Sequence, residues 1–400
     1  MSGYTERMGE FLDGLHAVNT HCHHLPTEEH VGMDLNALLE RTYVSWCNEP
    51  IGTTAEQRAD FLSKVRSRSY FVWLERALQT LYGLAGPLAS DNWDDLSARI
   101  GEAHRSDSHH IELLTDVCGY DRIVLDAYWN PGSDNGLPGL FAPTFRINMF
   151  LYGYDRDAED HNGNNPQRIY DRDIGDLDGY VRFMREVVEE KKRAGCVAIK
   201  SALAYDRSIL YGETDRSRAG RVFGAGGEPS PQDVLAFQDY IFHEVCRTAG
   251  EIGLPLQCHT GLGELDRTNA MQMRDLIVKY PDTTFVLFHG GYPWTDDVCG
   301  LVHRYPNVYV DLCWLPIISP SAAHRFIHEV LEVANADRIT WGCDTWRSEE
   351  SLGALMAFRT VLARVLAEKI ESGYLTEGRA REIAENIFHR NARSLYGLKD

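Results

Sequence analysis

The chain has 400 residues, 59 acidic against 40 basic side chains, a formal charge of −19 at neutral pH and 44% hydrophobic content. That apolar content supports a large buried core and excludes a disordered or fibrous chain, while the acidic balance excludes a general DNA or RNA binder. A local basic pocket on an acidic surface stays open, so the total charge does not identify a ligand.

The opening residues MSGYTERMGEFLDGL have no basic start followed by an apolar run. No stretch reaches the roughly 18 apolar residues of a membrane span, so a cytoplasmic protein without a membrane partner is expected. Short runs rich in β-branched and apolar residues predict strands at 16–22, 122–127, 145–152, 196–201, 254–259, 284–289, 307–312 and 338–343. Helical periodicity follows at 231–249, 268–279, 296–304, 320–334 and 349–370. Eight strands alternating with helices predict the α/β class and a (β/α)8 TIM barrel, with residues 1–400 as a single domain.

Between the first two strands lie about 28–118, patterned as DLNALLERTYVSW, AEQRADFLSKVRSRSYFVWLERALQTLYGL and WDDLSARIGEA. This is too long for one crossover helix and predicts a large helical insertion on the barrel's active face. Tyr70, Phe71, Trp73 and Tyr82 make it aromatic enough to pack back onto the barrel. Two loops rich in glycine and polar residues, Trp129 to Pro143 and Arg207 to Pro229, are expected near the mouth. The nine cysteines form no CxxC pair, and Cys118, Cys196, Cys246 and Cys313 sit in apolar segments, so they read as reduced core thiols.

The chemistry-bearing residues fall at the strand ends. In Asn19-Thr20-His21-Cys22-His23-His24, alternate strand residues share a face, so His21 and His23 can hold one metal while Cys22 turns toward the helices. His259 closes LPLQCH, His289 closes TFVLFH and Asp344 follows TWGC; the C-terminal ends of parallel barrel strands meet on one face. Cys258 and Cys343, each one residue before a polar strand end, are turned outward by the same period. Lys200 ends CVAIKS and is costly to bury as a cation unless it meets carboxylates, a metal-bridging modification or an anionic substrate; a lysine snorkelling to the rim is the bland alternative. Asp311 ends the seventh strand, either as a ligand-orienting group or as a cap. Arg347, Arg207 and Lys200 are the cations available for a substrate carboxylate or phosphate, and Tyr205, Trp314 and Trp346 can wall the pocket.

The order of NTHCHH, IKS, QCHTG, FHGG and GCDTWRS resembles the amidohydrolase superfamily over about 16–28 and 120–395. GCVAIKSALAYDR, FHGGYPWTDDVCGLVHRYPNVYVDLCW and ENIFHRNARSLYGL are similar to the amidohydrolase-2 branch, in particular the amidohydrolase-like region of fungal FluG proteins. A partial resemblance links the Trp73 to Gly83 stretch and Asp344 to Ser348 to uronate isomerases. Carried over, the resemblance makes His21 and His23 metal ligands, His259 a third ligand, and Asp344 a ligand or general base. It makes His289 a second-metal ligand or catalytic histidine, and Lys200 a catalytic residue, carboxylated and bridging in binuclear members. One or two divalent ions are expected, with Zn2+ the default and Mn2+ or Fe2+ admitted by the same ligands.

These residues support a metal-dependent hydrolase that uses metal-activated water to cleave a C–N or C–O bond, as in an amide or lactone, of a small carboxylate-bearing substrate. The alternatives are a uronate-isomerase-like sugar-acid isomerase, a non-hydrolytic metal-dependent decarboxylase, and a metal-free scaffold. The complete set of polar strand ends speaks against the scaffold. A small-molecule substrate is the expected partner, and a homo-oligomer is compatible with the sequence.

Overall fold

Eight parallel strands follow one another in chain order around a single sheet. They are β1 (Ala17–Cys22), β2 (Tyr120–Leu125), β3 (Phe141–Arg146), β4 (Ala198–Ser201), β5 (Leu256–Cys258), β6 (Phe285–Leu287), β7 (Val308–Asp311) and β8 (Ile339–Thr340). The computed structural model describes residues 3–224 and 228–399, so 225–227 of the loop expected at Arg207 to Pro229 lie outside the described residues. Nearly every strand residue is buried, as expected when helices cover a parallel sheet. Backbone bonds from Thr20 N to Trp341 O (3.2 Å), Asp344 N to His21 O (2.8 Å) and His23 N to Thr345 O (2.9 Å) join the first strand to the segment around the last. The sheet is thereby drawn into a barrel.

The third strand differs from the sequence expectation. It spans Phe141–Arg146 instead of 145–152, and Asn148–Leu151 form a 3-10 turn. Pro143 fits the strand because the ladder uses its carbonyl, which accepts from Val197 N at 2.9 Å. Asn148 ties the turn to the neighbouring strand end by accepting from Ala202 N (2.9 Å) and donating to Asp206 (2.8 Å). The apolar run through 145–151 reads as a strand because periodicity does not separate a short strand from a buried turn.

The first strand carries a bulge. Asn19 pairs with Ile123 and Cys22 with Leu125, so three steps along β1 match two along β2. Below this point Val18 packs with Val124, Ala198 and Tyr396, and Thr20 meets Asp311 inside the barrel. The extra residue changes the phase, so His21 and His23 also face inward while Cys22 joins the core between sheet and helices. The terminal helix Asn391–Tyr396 closes the opposite end, with Tyr396 Oη accepting from Gln257 at 2.9 Å and Asn391 donating to Ala336 and Ile339 carbonyls at 2.7 Å.

Between β1 and β2 the chain forms short helices and the longer ones Ala55–Val65, Ser69–Tyr82 and Trp93–Ala103. They share their own apolar cluster around Leu38, Phe61, Phe71, Leu78, Trp93 and Ile100. Tyr43, Trp73 and Ala77 belong instead to the main barrel core, and Gly353 of the helix Ser348–Glu371 lies so close to Trp73 that a Cβ would stand 2.7 Å from its carbonyl oxygen. The nine cysteines are all free thiols. Among the described residues no helix is long and apolar enough to cross a membrane.

Candidate metal centre

His21, His23 and Asp344 meet at the C-terminal mouth, with one ligand atom from each within 4.8 Å of the others. Asp344 Oδ1 lies 3.5 Å from His21 Nε2 and 3.3 Å from His23 Nε2. Bonds of about 2.0–2.1 Å in a tetrahedral zinc site put neighbouring donors about 3.3–3.4 Å apart, so these separations fit one ion. His23 Nδ1 donates to the Asp126 carbonyl at 2.8 Å, which leaves Nε2 with its lone pair turned to Asp344. The buried His21 Nδ1 has no hydrogen-bond partner among the described residues.

Electrostatics suit a cation here. Burial and then Lys200 hold the His21 imidazole well below its ordinary pKa, so it is neutral and ligand-competent. For Asp344, burial favours the acid, but His23, His289 and Lys200 outweigh it and keep the carboxyl below the usual range. Backbone strain gathers at the same place: His289 (φ 64°), Trp314 (φ 63°) and Asp344 (φ 57°) are left-handed residues other than glycine.

His289 and His259 form a second layer. His289 Nδ1 lies 3.0 Å from the Cys313 carbonyl and 3.6 Å from Asp344 Oδ2, and its Nε2 is 3.0 Å from His259 Nδ1. His259 Nε2 donates to the Leu262 carbonyl, so both of its nitrogens are engaged away from Asp344. Burial pushes His289 down to about 4 and lowers His259 strongly. His289, Cys313 and Asp344 also converge, but burial raises the Cys313 thiol far above its ordinary range, which disfavours the thiolate a metal needs.

The centre opens into a cavity of about 320 Å³. Arg146 and Lys200 line its cationic side with His161 beside them, and Tyr43, Trp46, Tyr128, Tyr205 and Trp346 form its aromatic walls. Lys200 Nζ sits 3.8 Å above the Phe288 ring centroid, and burial lowers its pKa although Asp126 and Asp344 pull the other way. Arg146 donates to Asp126 (2.5–3.2 Å) and to Asn162 (2.8 Å), and His161 pairs with Asp206 at 2.8 Å. Arg146 overcomes the burial cost of Asp126 and holds that carboxyl below its usual range.

The other sequence candidates take different places. Trp314 stands behind the wall, stacked on Tyr43 at 5.0 Å and edge-on to His289 at 5.2 Å. Arg347 is fully buried beside an adjoining cavity of about 310 Å³ that shares Trp46, Tyr128 and Trp346, and it donates to the Glu29 carbonyl at 2.9 Å. Arg207 is absent from the residues lining the central cavity and pairs with Asp239 at 2.6 Å. Asp311 ties strands together, accepting from Thr20 (2.5 Å), Thr340 (2.7 Å) and Cys313 N (2.8 Å). Tyr43, Trp46, Tyr128, Arg146, His161 and Asn162 are lining residues that sequence reasoning did not single out.

Residues 200–398 match the amidohydrolase family model (Amidohydro_2). The C-terminal half of the chain is thus similar to the amidohydrolase family. Over 152 residues, 36% of this chain, it is 35% identical to Protein fluG of Emericella nidulans, and the match spans only 18% of that protein. It is 23% identical over 365 residues to the uronate isomerase of Cutibacterium acnes, covering 82% of this chain and 76% of the relative. The uronate isomerase structure of Thermotoga maritima superposes with a TM-score of 0.77 at 17% identity, covering 99% of this chain and 98% of that one. The amidohydrolase motifs therefore sit on a barrel whose fold, insertion included, is shared with uronate isomerases.

Proposed function

We propose that the chain is a metal-dependent hydrolase that opens a C–N or C–O bond of a small carboxylate-bearing substrate such as an amide or lactone. The observation that carries this reading is the spacing of His21 Nε2 and His23 Nε2 about Asp344 Oδ1, 3.5 and 3.3 Å, at the floor of an accessible cavity. His21, His23 and Asp344 would hold a divalent ion, which when bound would supply Lewis acidity toward water and a substrate carbonyl. Zinc is the first choice, with manganese or iron next.

The chain's own groups then divide the work. Asp344 turns Oδ1 to the imidazoles of β1 and Oδ2 to His289, so Oδ2 is the oxygen free to take a proton from the attacking water and return it to the leaving group. His289, with one nitrogen against the Cys313 carbonyl and the other on His259, is held in place behind that carboxylate, its Nδ1 3.6 Å from Oδ2. Lys200 and Arg146 provide the positive wall for a substrate carboxylate, and the aromatic side chains exclude water from the remainder.

A second reading, sugar-acid isomerisation, is favoured by the alignment with a uronate isomerase across 82% of the chain. Here the same carboxylate would move a proton between adjacent carbons. The two readings separate in 18O-labelled water with a panel of lactones, amides and uronates. Solvent oxygen in the product supports hydrolysis, whereas unchanged oxygen content with hydrogen exchange at carbon supports isomerisation. Release of carbon dioxide alone overturns both in favour of decarboxylation.

A further inference from the structure

The cavity beside the metal centre, about 310 Å³ in volume, is bordered by a charge that the protein leaves without a partner. Arg347 is only 1% exposed, and among the described residues its one side-chain hydrogen bond runs from Nη1 to the Glu29 carbonyl at 2.9 Å. The buried Nε has no hydrogen-bond partner there. Arg41, which ends the short helix Leu35–Glu40, borders the same cavity. Neither guanidinium forms an ion pair among the described residues. The other buried arginines are paired, Arg146 with Asp126 at 2.5 Å and Arg207 with Asp239 at 2.6 Å.

A buried guanidinium is almost always paired, because taking the charge out of water is costly and only a counter-charge or full hydrogen bonding offsets it. Here a second cation stands at the same cavity, which adds repulsion to desolvation. Burial and then Arg41 lower the Arg347 pKa to about 10, against the pull of Glu349, Glu29 and Glu350, so the group is still charged at neutral pH. An anion entering the cavity relieves both costs, and the planar fork of an arginine fits a carboxylate with two parallel bonds. Glu29 and Glu40 also border the cavity, both exposed, and their charge weighs against the higher charge of a phosphate.

The position of this cavity points to its occupant. Trp46, Tyr128 and Trp346 border both it and the central cavity. Within the one segment Asp344–Arg347 the chain supplies the carboxylate of the metal centre, a ring of the shared boundary and the unpaired guanidinium. A ligand lying across that boundary meets Arg146 and Lys200 at one end and Arg347 and Arg41 at the other. We infer that the adjoining cavity is a second anion subsite and that the substrate is a dicarboxylate, one acid group at the central wall and the other on Arg347. This rests on the central cavity being the substrate site, whichever reaction takes place there.

The test is calorimetric titration of the full chain with the dicarboxylates from succinate to suberate and with monocarboxylates of equal length from butyrate to octanoate. At least one dicarboxylate should bind about 10-fold or more tighter than its monocarboxylate, as expected for an added hydrogen bond between charged groups. Arg347→Met should abolish that preference. Arg41→Met, at an exposed position, should weaken it and keeps the proposal testable if circular dichroism shows that Arg347→Met does not fold. A preference absent at every length, or surviving both substitutions, overturns the subsite. So does inorganic phosphate that binds through Arg347 without displacing a dicarboxylate, which would mark an independent anion site. An Arg347-dependent preference without solvent oxygen in the product keeps the subsite and rejects hydrolysis; hydrolysis without the preference rejects the subsite alone.

Discussion

Gly342 lies directly against His21: a Cβ on the glycine would stand 2.5 Å from the His21 backbone nitrogen and 3.0 Å from its carbonyl oxygen. The approach places the bulged strand beside the segment that carries Asp344. Gly342→Ala is expected to force the two apart, costing about 1–3 kcal/mol of stability as overpacking does. It should also weaken metal retention at the mouth, measured by urea denaturation and metal content on the same preparation.

His23→Ala and Asp344→Asn should remove turnover without loss of the barrel. Losing a positioned acid-base group typically costs about 10²–10⁴-fold in rate. His23→Ala is expected to lower metal affinity more than Asp344→Asn, since an amide oxygen still coordinates weakly. Unimpaired rates in both variants would contradict the site.

Asp126 and Arg146 form a buried ion pair whose carboxyl is held below its ordinary range. A depressed folded pKa means that the stabilisation is fully present above the unfolded value of about 3.9 and is lost as pH falls through the folded value. Asp126→Asn leaves Arg146 without its counter-charge, so a loss of about 3–5 kcal/mol is expected at pH 7. The wild-type and variant stability curves should begin to approach below the unfolded value of about 3.9 and converge only as pH falls through the lower folded value, where the native carboxyl also protonates. Urea midpoints across the acid range provide the check, and parallel curves would contradict the linkage.

Lys200 is a buried amine over an aromatic ring, apart from the three-donor centre of His21, His23 and Asp344. Lys200→Met is expected to leave stability unchanged or slightly higher, because it removes a desolvated charge. It should raise KM for a carboxylate substrate by about 10-fold or more, in line with about 1.5–3 kcal/mol for a hydrogen bond to a charged group. Added bicarbonate should not change wild-type activity; a bicarbonate requirement would instead indicate a carboxylated lysine.

The parallel barrel and the strand-end polar groups were legible because both depend on short-range patterns: β-branched runs, two-residue alternation and a charged or imidazole side chain at most strand exits. What escaped depends on a shift in register or on long-range packing. Placing the third strand at 145–152 put Arg146 near its beginning, whereas the observed Phe141–Arg146 makes it the exit residue that meets Asp126. Tyr43 and Trp46 reach the cavity through the fold of the insertion, which no local periodicity encodes. Arg347 and Arg207 carry charge near strand ends, yet backbone carbonyls and Asp239 engage them away from the central cavity.

The extra residue between Asn19 and Cys22 means that pairing register, and not residue type alone, decides which side chains of this stretch reach the cavity. Without the bulge, a regular strand of the same length would alternate from Val18 with Thr20 inward, His21 outward, Cys22 inward and His23 outward, sending both imidazoles into the helical shell and a thiol into the cavity. Homologous chains that keep this reaction are therefore expected to keep the irregular pairing across these four positions.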